Sequence, residues 1–182
     1  MVTRLLEGKL VNLRVIERED LSIWIEWLNN LEFFGEYFPI LQRSKAEMEK
    51  KCDSFSREEK AFFIEKKDGN KIGYIDSFLA GKHLEIGYAL DPNERRKGYG
   101  TEAVRIMVDY LFLSNDIVRI QAHVDPRNKA SQKVLEKAGF TREGLVRKSA
   151  FIRGEWRDGV LYSILREEWK EPKILTKTTS SN

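Results

Sequence analysis

Apolar and polar positions change their period several times along the chain. Val11-Asn12-Leu13-Arg14-Val15 alternates, which predicts a strand. Leu21, Trp24, Ile25 and Leu28 then recur at helical spacing behind Asp20, a residue type that caps helices, and Asn29-Asn30 breaks the pattern. Residues 33–40, FFGEYFPI, are aromatic and aperiodic, suited either to lining a ligand cleft or to plugging a core. Ser44, with Glu47 three residues on, is a capping-box signature and predicts a short helix reaching Phe55.

The period returns to two from Ala61. Ala61 to Glu65, Ile72 to Leu79, and the alternating Leu84, Ile86, Tyr88 and Leu90 predict three strands. The turn signals Asp68-Gly69-Asn70 and Ala80-Gly81-Lys82-His83 separate them, so an antiparallel meander is expected. From Gly100 the period is 3.6, with Ala103, Met107, Tyr110 and Leu111 on one face. A strand from Val118 to Val124 follows and ends at Asp125-Pro126. Asn128 to Gly139 predicts a second helix, with Val134 and Leu135 inward and Gly139 as its stop. Strand, helix, strand, helix implies a partly parallel sheet. Two late strands, Leu145 to Ile152 and Val160 to Leu165, flank RGEWRDG, and the chain turns polar after Glu167. The expected organisation is one α/β domain over residues 1–170 and a polar tail over 171–182.

Composition narrows the function. With 182 residues, 41% hydrophobic and 34% charged, the chain has globular character. A net charge of +3 is too small, and its cations too interspersed with acids, for a dedicated nucleic-acid binder. Cys52 is the only cysteine and His83 and His123 the only histidines, which excludes an intrachain disulfide and a multi-histidine zinc site, so no metal is expected. No stretch approaches 18 apolar residues and the first residues lack the apolar core of a leader, so the expectation is a cytoplasmic protein with no membrane partner, as a monomer or homodimer.

The most specific local signal is RRKGYG, residues 95–100, between the third meander strand and the first long helix. The spacing Arg95-x-x-Gly98-x-Gly100 is neither a Walker loop nor a dinucleotide fingerprint. Glycines there clear the approach to the backbone, and the amides that open a helix are unpaired and electropositive. A diphosphate fits on the amides of Arg96 to Thr101, with Arg95, Arg96 and Lys97 adding charge. A solvated basic turn is the plainer alternative.

In this setting the sequence resembles the Gcn5-related N-acetyltransferase (GNAT) superfamily, and particularly its ribosomal-protein N-terminal acetyltransferase branch. Arg95, Gly98 and Gly100 match the family's Q/R-x-x-G-x-G/A motif, Asn128 and Gly139-Phe140 follow in order, and GVLYSILREEW looks like the last strand of that branch. The resemblance covers nearly the whole chain. It implies an α/β fold with a central mixed, mostly antiparallel sheet, helices on both faces, and a splayed fourth and fifth strand pair. It also implies acetyl-CoA as donor, bound by Arg95, Arg96, Lys97, Gly98, Tyr99, Gly100, Thr101 and Asn128, with the pantetheine arm lying along the splayed strands.

Acetyl transfer to an amine needs a proton acceptor for the amine, a donor for the carbonyl oxygen and a good leaving thiolate. Glu85, on a strand face with Gly87 and Ala89, is the candidate base. Ser131, in the first turn of the second helix, is the candidate hydroxyl donor to sulfur. Many family members carry a tyrosine four residues beyond Ser131, where this chain has Leu135. His123 is read as a packed or solvent-facing histidine, and Tyr99 as a packing residue. The preferred acceptor is the N-terminal α-amine of a protein such as a ribosomal protein. Its pKa of about 8 asks less of a base than the roughly 10.4 of an alkyl amine. The alternatives are a small amine, either a polyamine or an aminoglycoside, for which Glu32, Glu36 and Asp76 would be suitable acids, and a non-catalytic acetyl-CoA-binding module.

Overall fold

The computed structural model describes residues 6–170, 172 and 174. The expected tail over 171–182 therefore lies almost wholly outside the described residues. The chain runs β1 (Val11–Val15), α1 (Leu21–Leu28), α2 (Leu31–Phe34), α3 (Lys45–Asp53), β2 (Lys60–Lys66), β3 (Lys71–Ala80), β4 (His83–Leu90), α4 (Tyr99–Ser114), β5 (Arg119–Val124), α5 (Lys129–Ala138), β6 (Thr141–Ile152) and β7 (Glu155–Leu165). One 7-stranded sheet results, in the order β1-β2-β3-β4-β5-β7-β6. Every neighbouring pair is antiparallel except β4 and β5. This is the mixed, mostly antiparallel α/β sheet that the sequence implied.

Strand alternation sends side chains to two separate cores. On one face Leu84, Ile86 and Ile120 pack with Ala103, Met107 and Leu111 of α4 and Leu135 of α5. On the other, Phe63, Tyr74 and Ala89 pack with Trp24 and Leu28 of α1, Phe33 and Phe34 of α2, and Met48 of α3. Of the aromatic segment of residues 33–40, Phe33 and Phe34 are core and Phe38 packs against them, while Pro39 and Ile40 are exposed. Phe33 stacks on Trp27 at 4.9 Å and Phe34 lies 4.8 Å from Phe38. Its first residues form α2, a single turn too short to show a period. Asn30 caps that turn by accepting from Glu32 N at 2.9 Å.

Local chemistry explains where expectation and structure part. Ser44 and Glu47 form the expected capping box on α3. Asp20 does not cap α1: its carboxylate accepts from Arg14 Nη1 at 2.9 Å and Nη2 at 2.7 Å, a fork stronger than a cap. The last two strands are longer than expected because RGEWRDG is mostly strand. Only Arg153 (φ 51°) and Gly154 (φ 84°) make the turn, the left-handed pair that a two-residue hairpin needs. After Glu167 the chain stays docked through Trp169, whose Nε1 donates to Asp109 at 2.8 Å.

Candidate active site at the gap between β4 and β5

The pairing of β4 with β5 is brief. It covers Leu84↔Ile120 and Glu85↔Gln121 and goes no further. Beyond Glu85, β4 remains paired with β3 as far as Leu90, and beyond Gln121, β5 remains paired with β7 as far as Val124. The two strands separate toward their C-terminal ends and leave a gap within the sheet. The loop leading into α4 and the loop leading into α5 both begin at that end.

The α4 loop is shaped by backbone constraints. Arg96 has φ 65° and Gly98, the N-cap of α4, has φ 86°. Left-handed geometry at a bulky arginine is costly, so the loop is held by its surroundings. One such constraint is Glu102 in the first turn of α4. Its carboxylate accepts from the amides of Lys9, Leu10 and Val11 at 2.8, 2.6 and 2.7 Å and ties the segment before β1 to the loop. At Gly100 a methyl group would stand 3.4 Å from Leu90 and 3.7 Å from Val134. Both are contact distances, so this position is closely packed between β4, α4 and α5 and brings the start of the helix against β4.

The basic residues of the loop divide in role. Arg95 donates to Leu90 O at 3.0 Å and Phe33 O at 2.6 Å, so its guanidinium braces two backbone segments. Lys97 pairs with Glu94 at 2.9 Å. Arg96 forms no ion pair among the described residues, and its exposed charge is available to an anion. Tyr99 is half-buried against the α4 core, as expected, while Thr101 is half-buried in the first turn. Asn128 caps α5 by accepting from Ser131 N at 3.1 Å.

The two candidate catalytic residues lie on opposite faces of the sheet. Glu85 faces the side of α1 to α3, as does His123 of β5. The Nδ1 of His123 is 3.0 Å from both oxygens of Glu85, and Gln121 Nε2 donates to Glu85 at 3.0 Å. Burial pushes the Glu85 carboxyl upward, but these hydrogen bonds outweigh it and hold it below the usual value. The same hydrogen bond from Glu85 raises His123 above its usual 6.5, against its partial burial. The contact of His123 with Glu85 is not legible in sequence, because the two residues lie 38 positions apart and become adjacent only through the Glu85↔Gln121 register. Strand parity was the available signal, since both residues occupy the positions opposite the apolar ones.

Ser131 faces the α4 and α5 side. Its Oγ is 2.7 Å from the hydroxyl of Tyr88, a contact in which either oxygen can donate, and the same hydroxyl lies 3.3 Å from Ser131 O. Leu135, one turn further along α5, is fully buried. A carboxylate–imidazole pair on one face and a hydroxyl pair on the other therefore bracket the gap. On the same face as Glu85 and His123 lies a cavity of about 230 Å³ lined by Trp24, Tyr74, Asp76 and Lys51, among others. Burial pushes Asp76 up to about 6, although Lys51 lies 3.7 Å away.

The model of the acetyltransferase (GNAT) domain family matches residues 11–141. The chain belongs to the GNAT acetyltransferase family. It is 33% identical over 181 residues to the probable N-acetyltransferase YjcK of Bacillus subtilis, covering 90% of this chain and 98% of that protein. It is 26% identical over 164 residues to the spermidine N(1)-acetyltransferase of Escherichia coli, covering 87% and 88%. Among solved structures, Mycobacterium smegmatis RimJ in complex with CoA-disulfide superimposes with a TM-score of 0.76 at 26% identity, over 90% of this chain and 86% of that one. The ribosomal-protein branch is thus one of several that match, and the spermidine enzymes match more strongly. This GNAT protein is an acetyl-CoA-dependent N-acetyltransferase. Among the described residues, no helix is long and apolar enough to cross a membrane.

Proposed function

We propose that this enzyme acetylates a primary amine of a small aliphatic amine of the polyamine class, with Glu85 and His123 as its proton-accepting pair. The observation that carries this reading is the 3.0 Å contact between the two side chains. An alkyl ammonium with a pKa of about 10.4 is almost entirely protonated at neutral pH, so it needs an organised acceptor. The expectation of a protein N-terminus follows from the ribosomal-protein resemblance and from the lower pKa of an α-amine, and an organised acceptor pair answers the second of these. In the pair, His123 is the base and Glu85 the residue that orients it. A carboxylate held below its usual value is the weaker base of the two, while an imidazole raised by that carboxylate is the stronger. With Nδ1–H directed at Glu85, Nε2 is left as the acceptor.

The cavity on that face supports the same acceptor class. The ammonium of Lys51 lies 5.4 Å from the Trp24 ring centre and 3.7 Å from Asp76, so these walls already accommodate an alkyl ammonium. The likeness to a spermidine acetyltransferase over most of both chains points the same way. For the donor, the amides of Arg96 to Thr101 with the charge of Arg96 would hold the diphosphate, Gly98 would clear its approach, and Asn128 would fix the opposite loop. When bound, acetyl-CoA supplies the activated acetyl group. The residues of this chain supply the proton acceptor on one face of the sheet and the hydroxyls on the other.

A panel of spermidine, putrescine, an aminoglycoside and peptides with free N-termini, each incubated with acetyl-CoA, tests the proposal. Turnover should favour the polyamines by at least tenfold in kcat/KM. Turnover confined to the peptides would overturn the acceptor assignment and restore the α-amine reading.

A further inference from the structure

The hydroxyl side of the gap contains a residue that motif reading passed over. Tyr88 belongs to the alternating apolar row of β4 and reads as core, yet its phenol ends on Ser131. The contacts fix Ser131 from two directions: Asn128 accepts from its amide at 3.1 Å, and Tyr88 meets its Oγ at 2.7 Å. Tyr88 lies three positions beyond Glu85, where β4 has already parted from β5, so it reaches the start of α5 from the other wall of the gap. Leu135 is fully buried in the α4–α5 core and carries no hydroxyl.

We propose that Tyr88 is a positioning residue for the leaving group: its phenol lies 2.7 Å from Ser131 Oγ against 3.3 Å from Ser131 O, gives its one proton to the nearer Oγ, and thereby directs the serine hydroxyl at the sulfur of acetyl-CoA. This inference rests on the acetyltransferase reading and adds a role that Ser131 could not fill alone. A free serine hydroxyl samples several rotamers, whereas one that already accepts from a phenol has its remaining proton directed away from it.

Relative acidities decide what the pair does. A thiol has a pKa of about 8.5, and burial pushes the Tyr88 phenol well above its ordinary 10. Proton transfer from the phenol to a thiolate would run uphill, so the pair donates a hydrogen bond and keeps its protons. His123 takes the proton that frees the amine and releases it to water; as the amine nitrogen then bonds to the acetyl carbon, its surplus proton passes to the neutral imidazole. As the C–S bond breaks, its electron pair goes to sulfur, which leaves as a thiolate hydrogen-bonded to Ser131 and takes its proton from water after release.

Titration of bound CoA tests this without any turnover. The ultraviolet absorbance of the thiolate, followed against pH at saturating protein, gives the pKa of the bound thiol. Wild-type protein should lower it by about one unit relative to free CoA, a tenfold stabilisation of the thiolate. Tyr88→Phe preserves the ring's volume, and Ser131→Ala leaves the Asn128 cap intact. Each should return the thiol close to its free value, and the double variant should add little more, as expected of groups acting as a unit. In turnover, both variants should lose more rate with acetyl thioesters of poorly leaving thiols than with those of readily leaving ones. A thiol pKa unchanged from wild type in Tyr88→Phe overturns the role of Tyr88. If that variant fails to fold, an unchanged value in Ser131→Ala overturns the pair. Wild-type turnover on the amine panel reports separately on the acetyltransferase reading.

Discussion

Glu85 and His123 place opposite demands on pH. The Glu85 value is lowered in the fold, so its contribution to stability is complete above about 4.5 and is lost as pH falls through the folded value. The His123 value is raised, so its contribution is complete below about 6.5 and is lost as pH rises through the folded value. The pair therefore stabilises the fold most between these limits. Glu85→Gln should lower Tm more near pH 5.5 than near pH 9, as differential scanning calorimetry can read. With His123 as the proposed base, turnover requires the neutral imidazole, and the acidic limb of the pH–rate profile should follow His123. Removing the carboxylate lowers the pKa of the imidazole, and Glu85→Gln should move that limb to lower pH while reducing the plateau rate. His123→Ala should lower kcat/KM at pH 7 by about a hundredfold, the usual worth of a general base. An acidic limb that stays in place in Glu85→Gln would show that His123 is not the titrating base.

At the scale of elements, the loop before α4 separates two uses of glycine. Gly98 has φ 86°, so Gly98→Ala should cost about 1 kcal/mol of stability as well as weakening acetyl-CoA binding. Gly100 lies in the first turn of α4 without that constraint, and a methyl there meets Leu90 only at contact distance. Gly100→Ala should keep Tm within a few degrees and leave acetyl-CoA binding within about twofold, because the methyl meets Leu90 and Val134 at contact distance and the family motif admits alanine there. Calorimetric titration beside a melting curve distinguishes the two, and equal losses of Tm would refute the distinction. This loop was legible in sequence because its information is local: strand period, glycine spacing and helix period adjoin within residues 84–112. The α5 cap and the α3 capping box were legible for the same reason. The single-turn α2 was not, because four residues carry no period, and Asp20 was misassigned because Arg14 competes for its carboxylate. The pairings of Glu85 with His123 and of Tyr88 with Ser131 depend on strand register and on how α5 settles against β4. Neither is encoded in any short window of the chain.

At the scale of the whole molecule, the hairpin of β6 and β7 leans over the aromatic segment after α2. Arg153 donates to Gly35 O at 2.7 Å and Arg157 to Glu36 O at 3.0 Å, so the two ends of the chain's fold meet across the base side of the gap. The sheet beneath them is nearly two sheets, β1 to β4 and β5 to β7, joined by two registered residue pairs and by the helices above. A ligand lying along Ile86 to Leu90 and Ala122 to Val124 would act on this seam as a rivet acts on two plates. Its binding energy would appear as added continuity across the seam. Backbone amides of residues 86–90 and 122–124 should exchange with deuterium more slowly once CoA is bound, while those of β2, paired on both sides far from the seam, should not change. The enzyme's donor would then also be a temporary part of its scaffold, and each release of CoA would return the seam to its two residue pairs.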